Sequence, residues 1–264
     1  MKPTGASVYD TTASSFEHYR SLPSYVVEAI RSAIWTVARL PDQARVLDLG
    51  AGTGRIGKAF LAAGDFYVGV DSSLAMLQEF SAKSEFRESK TCLLAQAEGR
   101  QLPFQNGFFD LVLLVQVLSA AGNWRELLDE CRRVLRPGGM VAEGHKRSPE
   151  SGVDAQLKRQ LVAIFDAMQI PWHQPRESRR QALAWLESAS VRHWYRDAAS
   201  WKVTTSAEEF LSRHRTGARF AALPLAIQEE ALARLRAWAE TNFGSVKESF
   251  EEHHGFDLDI FEFP

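Results

Sequence analysis

Three observations predict an α/β fold built on a doubly wound, mostly parallel sheet. Five short apolar runs, at 46–49, 66–70, 91–95, 111–115 and 140–142, alternate with stretches of helical periodicity. The first run ends in Gly50, Gly52 and Gly54, and the second ends at Asp71. Strands separated by helices pair in parallel, and right-handed crossovers bring the turns that follow them to one edge, where ligands bind.

Taken in order, Ser24 to Leu40 carries Val26, Ile30, Ile34 and Val37 on one stripe, a first amphipathic helix that Pro41 follows. Val46, Leu47 and Leu49 form a buried strand running into the glycine turn, and Arg55 to Ala63 reads as a helix. The unit repeats at Phe66 to Val70. The helix after it has the apolar face Met76, Leu77 and Phe80, with Ser72 or Ser73 as its N-cap. Between the fourth and fifth runs, Asn123 and Glu126 three residues on predict a capping box, and Pro137-Gly138 a stop. Beyond Ser148 the composition shifts, because Trp172, Trp185, Trp194, Trp201 and Trp238 fall there and only two tryptophans precede it. Helices are predicted over 157–168, 181–186, after Thr205 or Ser206, and over 224–242, with β pieces at 191–195 and 256–263.

Composition excludes several classes. The 264 residues, 45% apolar, can bury a full core, and a net charge of −2 gives no global attraction for nucleic acid or anionic lipid. Cys92 and Cys131 have no CxxC spacing, which argues against a zinc cage or disulfide framework and for a reducing, cytoplasmic setting. No run approaches the roughly 20 apolar residues of a bilayer span, so no membrane partner is expected.

The segment Asp48-Leu49-Gly50-Ala51-Gly52-Thr53-Gly54 follows a strand and precedes a helix. Glycines there allow a sharp turn and close approach of a ligand to helix-terminal amides. Two ligands suit it. Gly52-Thr53-Gly54-Arg55-Ile56-Gly57 satisfies the dinucleotide pattern, with Asp71 at the spacing of a ribose-binding acid, so a nicotinamide-dependent oxidoreductase survives. Acidic Asp48 before the glycines instead favours a cationic, phosphate-free ligand.

The succession VLDLGAGTGRIG (46–57), VGVDSSLAML (68–77), LPFQNGFFDLVLLVQVL (102–118) and RRVLRPGG (132–139) resembles the class I S-adenosylmethionine-dependent methyltransferases, in particular their small-molecule branch of quinone-biosynthesis and trans-aconitate methyltransferases. The resemblance implies a Rossmann-like, seven-stranded sheet in the order 3-2-1-4-5-7-6, strand 7 antiparallel, with a helical cap. It implies S-adenosylmethionine as cofactor and S-adenosylhomocysteine as product. The cofactor core with its helical entrance segment is then 1–147, and 148–264 supplies the cap, the acceptor-binding region and the last two strands.

Carried over by position, Gly50, Ala51, Gly52 and Gly54 line the methionine moiety, with Asp48 near its amino group. Asp71 takes the ribose hydroxyls, with Ser72 beside it, and Met76 packs near the adenine. Glu98 stands where the family has an aspartate for the adenine amine. Val115 and Gln116 lie under the sulfonium, and Tyr19 and Arg20 close over the cofactor.

Methyl transfer needs chiefly in-line proximity and desolvation, and a base helps only where the acceptor must lose a proton. His145, just past the fifth strand, and Glu143, within it, are the candidate bases. His173 and His193 beside tryptophans read as packed residues. His253 and His254, on opposite faces of a strand, do not share a metal, and no metal site is expected. Arg176, Arg179 and Arg180 read as a solvated run, with capture of an acidic substrate as the alternative. Val115-Gln116-Val117-Leu118 lacks the Asn/Asp-Pro-Pro-aromatic segment of nucleic-acid amine methyltransferases. The expected partner is a small organic methyl acceptor, methylated on oxygen or carbon. A non-catalytic S-adenosylmethionine-binding accessory protein is the remaining alternative.

Overall fold

The computed structural model describes residues 9–10, 13–41, 43–119, 121–172 and 176–264. At its centre is a seven-stranded sheet in the order β3-β2-β1-β4-β5-β7-β6. The strands are β1 (Arg45–Leu49), β2 (Phe66–Asp71), β3 (Cys92–Gln96), β4 (Phe109–Val115), β5 (Leu135–Arg147), β6 (Arg192–Ser206) and β7 (Ser249–Glu262). The first five pair in parallel, and β7 runs antiparallel to both β5 and β6. Around them lie α1 (Ala13–Arg20), α2 (Ser24–Ala38), α3 (Gly57–Ala62), α4 (Leu74–Ser81), α5 (Ser84–Glu88), α6 (Trp124–Val134), α7 (Val153–Ala167), α8 (Arg176–Ala189), α9 (Ala207–Arg215), α10 (Ala218–Ala221) and α11 (Leu225–Phe243).

Side chains alternate across each strand, so a sheet covered on both faces needs apolar residues at nearly every position. Val46, Tyr67, Leu111 and Phe256 face α2 and α3. Leu47, Val68, Val112 and Phe261 face α6 and α8. A third core, including Leu157, Phe165, Phe210, Phe220 and Leu235, joins α7, α9, α10 and α11.

The last two strands run further than their apolar pieces predict. β5 leaves the pairing at Arg147 opposite Gly255, whereas β6 and β7 stay paired to Ser206 opposite Ser249. A two-stranded ribbon therefore projects past the edge where β1 to β5 end, and the third core stands beside it. Its residues alternate buried with exposed: Glu252 and His254 are buried, their neighbours Glu251 and His253 exposed. Polar residues at half-buried positions hid the ribbon from an apolar-run reading.

Two of the expected side-chain caps form and one does not. Ser206, not Thr205, caps α9, its Oγ accepting from Glu209 N at 3.2 Å. Ser73, not Ser72, caps α4, its Oγ accepting from Met76 N at 3.2 Å. The capping box at Asn123 does not form: its Nδ2 donates to Glu126 Oε1 at 3.3 Å, so the two side chains satisfy one another and neither reaches a backbone amide.

Candidate functional site

The carboxyl ends of β1, β2 and β4 converge where the topology reverses between β1 and β4, the place for a ligand in an open α/β sheet. Three loop glycines have positive φ, and two of them separate packing from ligand access. A Cβ on Gly54 would lie 2.3 Å from the fully buried Phe80 ring, so that position is closed by packing. A Cβ on Gly52 would meet only Gly50 O, at 4.0 Å, so its side is open.

The loop amides are almost all committed. Gly50 N and Ala51 N donate to Val70 O at 2.8 and 3.0 Å, Gly54 N donates to Ala51 O at 3.0 Å, and Gly52 N donates to Asp71 Oδ2 at 2.9 Å. A diphosphate is read by free backbone N–H groups, and these four are not free. One polar atom is left over: the hydroxyl of Thr53, buried and without a hydrogen-bond partner in the protein. A cradle with an open glycine, a spare buried hydroxyl and carboxylates on both flanks fits a nucleoside carrying positive charge better than one carrying phosphates.

Asp71 is half-buried, and its second oxygen accepts from Ser73 N at 2.9 Å. Burial pushes its carboxyl up from the usual aspartate value, against the lowering effect of the Ser73 and Gly52 amides. Asp48 lies one face deeper. Its carboxyl is buried and accepts a hydrogen bond from the phenol of Tyr67, fully buried on β2, at 2.5 Å. Burial raises it to about 6, the Tyr67 hydrogen bond opposing. Tyr67 was not singled out from the sequence, since a lone tyrosine in an apolar strand carries no signal of its partner.

The other expected cofactor residues are distributed as follows. Ala51 and Met76 are buried, and Ser72 is half-buried with its carbonyl accepting from Gln96 Nε2 at 3.0 Å. Glu98 is exposed after β3, and Val115 packs at the end of β4. Gln116 has a left-handed backbone, φ 58°, and its Oε1 accepts from Arg55 Nη2 at 2.6 Å. Arg55 Nη1 in turn donates to Arg20 O at 2.8 Å, tying α1 to the glycine loop and to the end of β4. Burial lowers Arg55 to about 10. Ser73 Oγ donates to Asp10 at 2.6 Å, and Lys83 pairs with Glu17, so the N-terminal segment straps across the crevice. Tyr19 lies in α1, and its side chain is outside the described residues, as are those of Arg176 and His173.

Glu143 and His145 lie on the face of β5 toward α8 and do not stand free. Arg179 of α8 reaches Glu143 with two hydrogen bonds, 2.8 and 2.7 Å, and contacts His145 Nδ1 at 2.8 Å. A guanidinium only donates, so His145 Nδ1 is the acceptor and its proton sits on Nε2, 3.5 Å from Asp257. Burial pushes Glu143 up, yet the Arg179 hydrogen bonds outweigh it and hold the carboxyl below the usual value. Arg179 is thus no solvated residue, unlike Arg180, which pairs with Glu177 on the surface. Glu143, His145 and Asp259 come close enough together to suggest metal ligands, but the Arg179 guanidinium already supplies the positive charge among them. His193 stacks on Phe261 and bonds Asp259 at 2.9 Å.

A cavity of about 580 Å³ opens at the opposite edge, where β1, β2 and β4 begin, lined by Arg45, Phe66, Thr91, Phe108, Asp110 and Arg136. It lies away from every loop that the sheet topology devotes to ligands.

Fold and loop together define a Rossmann-like nucleoside-binding protein. Residues 47–142 match the methyltransferase domain family. The chain is 28% identical over 199 residues to malonyl-[acyl-carrier protein] O-methyltransferase of Salmonella typhimurium, covering 74% of each chain. It is 27% identical over 202 residues to demethylmenaquinone methyltransferase of Clavibacter sepedonicus, covering 73% of this chain and 80% of that one. Among solved structures it resembles the YcgJ protein of Bacillus subtilis, with TM-score 0.58 and 19% identity, over 89% of this chain and 97% of that one. The methyltransferase domain and the methyltransferase relatives support S-adenosylmethionine-dependent methylation of a small molecule, and the oxidoreductase reading finds no support. No helix among the described residues is long and apolar enough to cross a membrane.

Proposed function

We propose that this methyltransferase methylates oxygen or carbon of a small organic acceptor lodged between the carboxyl ends of β4 and β5 and the helices α7 and α9. Residues 1–147 hold the cofactor and 148–264 cover the acceptor. S-adenosylmethionine, when bound, supplies an electrophilic methyl on a sulfonium. In this reading Gly52 and the Thr53 hydroxyl face the methionine portion, Asp71 turns its carboxylate to the ribose, and Asp48 places negative charge beneath the cationic end. Met76 and Glu98 flank the adenine, and α1, with Tyr19 and Arg20, excludes water by lying over the crevice. The observation that carries the reading is the glycine loop, whose amides are closed to a diphosphate while its one open glycine and spare hydroxyl remain available.

Glu143 and His145 enter as members of an ion cluster. Arg179 occupies the His145 Nδ1 lone pair and bonds both Glu143 oxygens, holding that carboxyl below its usual value and so making it a weaker base, and transfer rests on proximity. The two unpaired thiols suit a reducing cytoplasm. Calorimetric titration with S-adenosylhomocysteine and, separately, with NADH tests the cofactor assignment. Binding of the first at micromolar concentration and not of the second is expected; the reverse result overturns it.

A further inference from the structure

The side of β5 opposite Glu143 presents a different chemistry. Lys146 sits two residues beyond Gly144, whose carbonyl accepts from Gln116 N at 2.9 Å, so the lysine projects past the end of β4 by about two strand rises of roughly 3.3 Å. Its neighbour across the sheet is Phe256, which places it on the α2 side, toward α7 and α9. Three cations of other elements act in the same region: Arg20 at the end of α1, Lys158 on α7 and Arg213 on α9.

The acids there are already engaged. Asp154, buried at the start of α7, takes Arg213 with contacts of 2.6 and 2.5 Å. Glu252, buried on β7, accepts from Val153 N at 2.6 Å and meets His254 Nε2 at 2.9 Å. Lys146 has no hydrogen bond or ion pair among the described residues. Burial, with Arg213 and Lys158 opposing the attraction of Asp154 and Glu252, lowers its ammonium to about 8, so it stays charged at neutral pH. Two nitrogens nearby, Arg20 Nε and His214 Nε2, are buried with no partner in the protein. Burial holds His214 down to about 4, so its imidazole is neutral and one nitrogen carries a proton to donate. A half-buried ammonium with no acceptor, repelled by Arg213 and Lys158 while the neighbouring acids are bound elsewhere, and two buried nitrogens without partners close to the same cations cost free energy unless something anionic enters beside them.

The geometry points to an anion subsite between the end of β5 and α7/α9, in which Lys146 is the direct partner of a carboxylate or phosphate ester on the methyl acceptor. This deepens, and rests on, the cofactor assignment above. The cofactor's own carboxylate is a second source of the same chemistry, and saturating the protein with S-adenosylhomocysteine removes it from the test.

Full-length protein saturated with S-adenosylhomocysteine is titrated with succinate, benzoate and phenyl phosphate, each beside its neutral counterpart succinamide, benzamide or phenol, following thermal unfolding. At least one anion is expected to raise the melting temperature where its neutral partner does not, and the responding anion distinguishes a carboxylate site from a phosphate site. Lys146→Gln should weaken that anion about ten- to hundredfold, the worth of a charge-assisted hydrogen bond, with S-adenosylhomocysteine affinity unchanged, and Lys146→Arg should retain it. Equal protection by neutral and anionic probes, no protection by any acid at millimolar concentration, or an unaltered response in Lys146→Gln overturns the subsite. Failure of S-adenosylhomocysteine to bind the wild type overturns the cofactor assignment instead, and the subsite with it.

Discussion

Replacing Arg179 by leucine removes the one cation that contacts Glu143, a side chain with no solvent exposure. In the native protein the two guanidinium hydrogen bonds hold the Glu143 carboxyl below its ordinary 4.5. That contribution to stability is present above the unfolded value and is lost as pH falls through the folded one. Without Arg179 the largest influence left is burial, which drives the carboxyl upward, and the sign reverses: stability is then lost as pH rises. The expected cost at pH 8 is about 3–5 kcal/mol, the range for orphaning one partner of a buried pair. For a chain of this size that is a fall of roughly 6–20 °C in melting temperature. At pH 4 to 4.5, where the orphaned carboxyl takes up a proton, most of the deficit disappears. Urea unfolding at both pH values measures it, and the double variant Arg179→Leu/Glu143→Gln should regain most of the loss at pH 8. A deficit under about 1 kcal/mol, or one that does not change with pH, would refute the assignment of Arg179 as the counter-ion.

Asp71→Ala should weaken S-adenosylhomocysteine about ten- to hundredfold, since a charged acceptor is lost and the Gly52 amide is released; unchanged calorimetric affinity removes Asp71 from the site. Gly54→Ala should cost about 2–5 kcal/mol of folding stability through its collision with Phe80 and left-handed backbone. Gly52→Ala, with open space before it, should cost about 1 kcal/mol in stability and act chiefly on cofactor affinity. Asp48 has a folded value raised from 3.8 to about 6, so wild-type stability should fall between pH 4 and 6. Asp48→Asn keeps an acceptor for Tyr67 and should abolish that limb, as urea unfolding across the interval will show. Burial raises the Cys92 thiol to about 12 and Cys131 higher still, so neither should react with an aromatic disulfide reagent at pH 8 before the chain unfolds.

What the sequence made legible depended on how far apart the interacting residues are. The glycine turn, Asp71 and the first four strands are local patterns, and each falls where periodicity and turn chemistry put it; β5 contains its apolar piece at 140–142 but runs from Leu135 to Arg147, through Pro137-Gly138. The strand order 3-2-1-4-5-7-6 came from the resemblance, since alternation of apolar runs yields parallel pairing without yielding an order. The β6–β7 ribbon escaped because its outward positions are polar and its inward ones include Glu252 and His254, a buried acid and base that contact one another at 2.9 Å. The capping box failed for a related reason: a box needs each side chain to reach a backbone amide, and Asn123 and Glu126 reach one another first.

The same limit explains why the chemistry of β5 reads differently in three dimensions. Glu143 and His145 drew attention as an acid and a histidine at the end of a central strand, and spacing places them on one face. Spacing is silent on what covers that face, and a helix beginning more than thirty residues later brings Arg179 onto it. Lys146, one residue from His145, points the other way because side chains alternate across a strand. There the covering elements, α7 and α9, bring Lys158, Arg213 and His214, and the nearby acids Asp154 and Glu252 are already bound elsewhere. The two faces thus end in opposite electrostatic states, one closed by its own counter-ion and one with a cation left unpaired. A reaction that carries its electrophile on the cofactor asks the protein less for a base than for a handle on the acceptor, and the unpaired face is the one able to supply it.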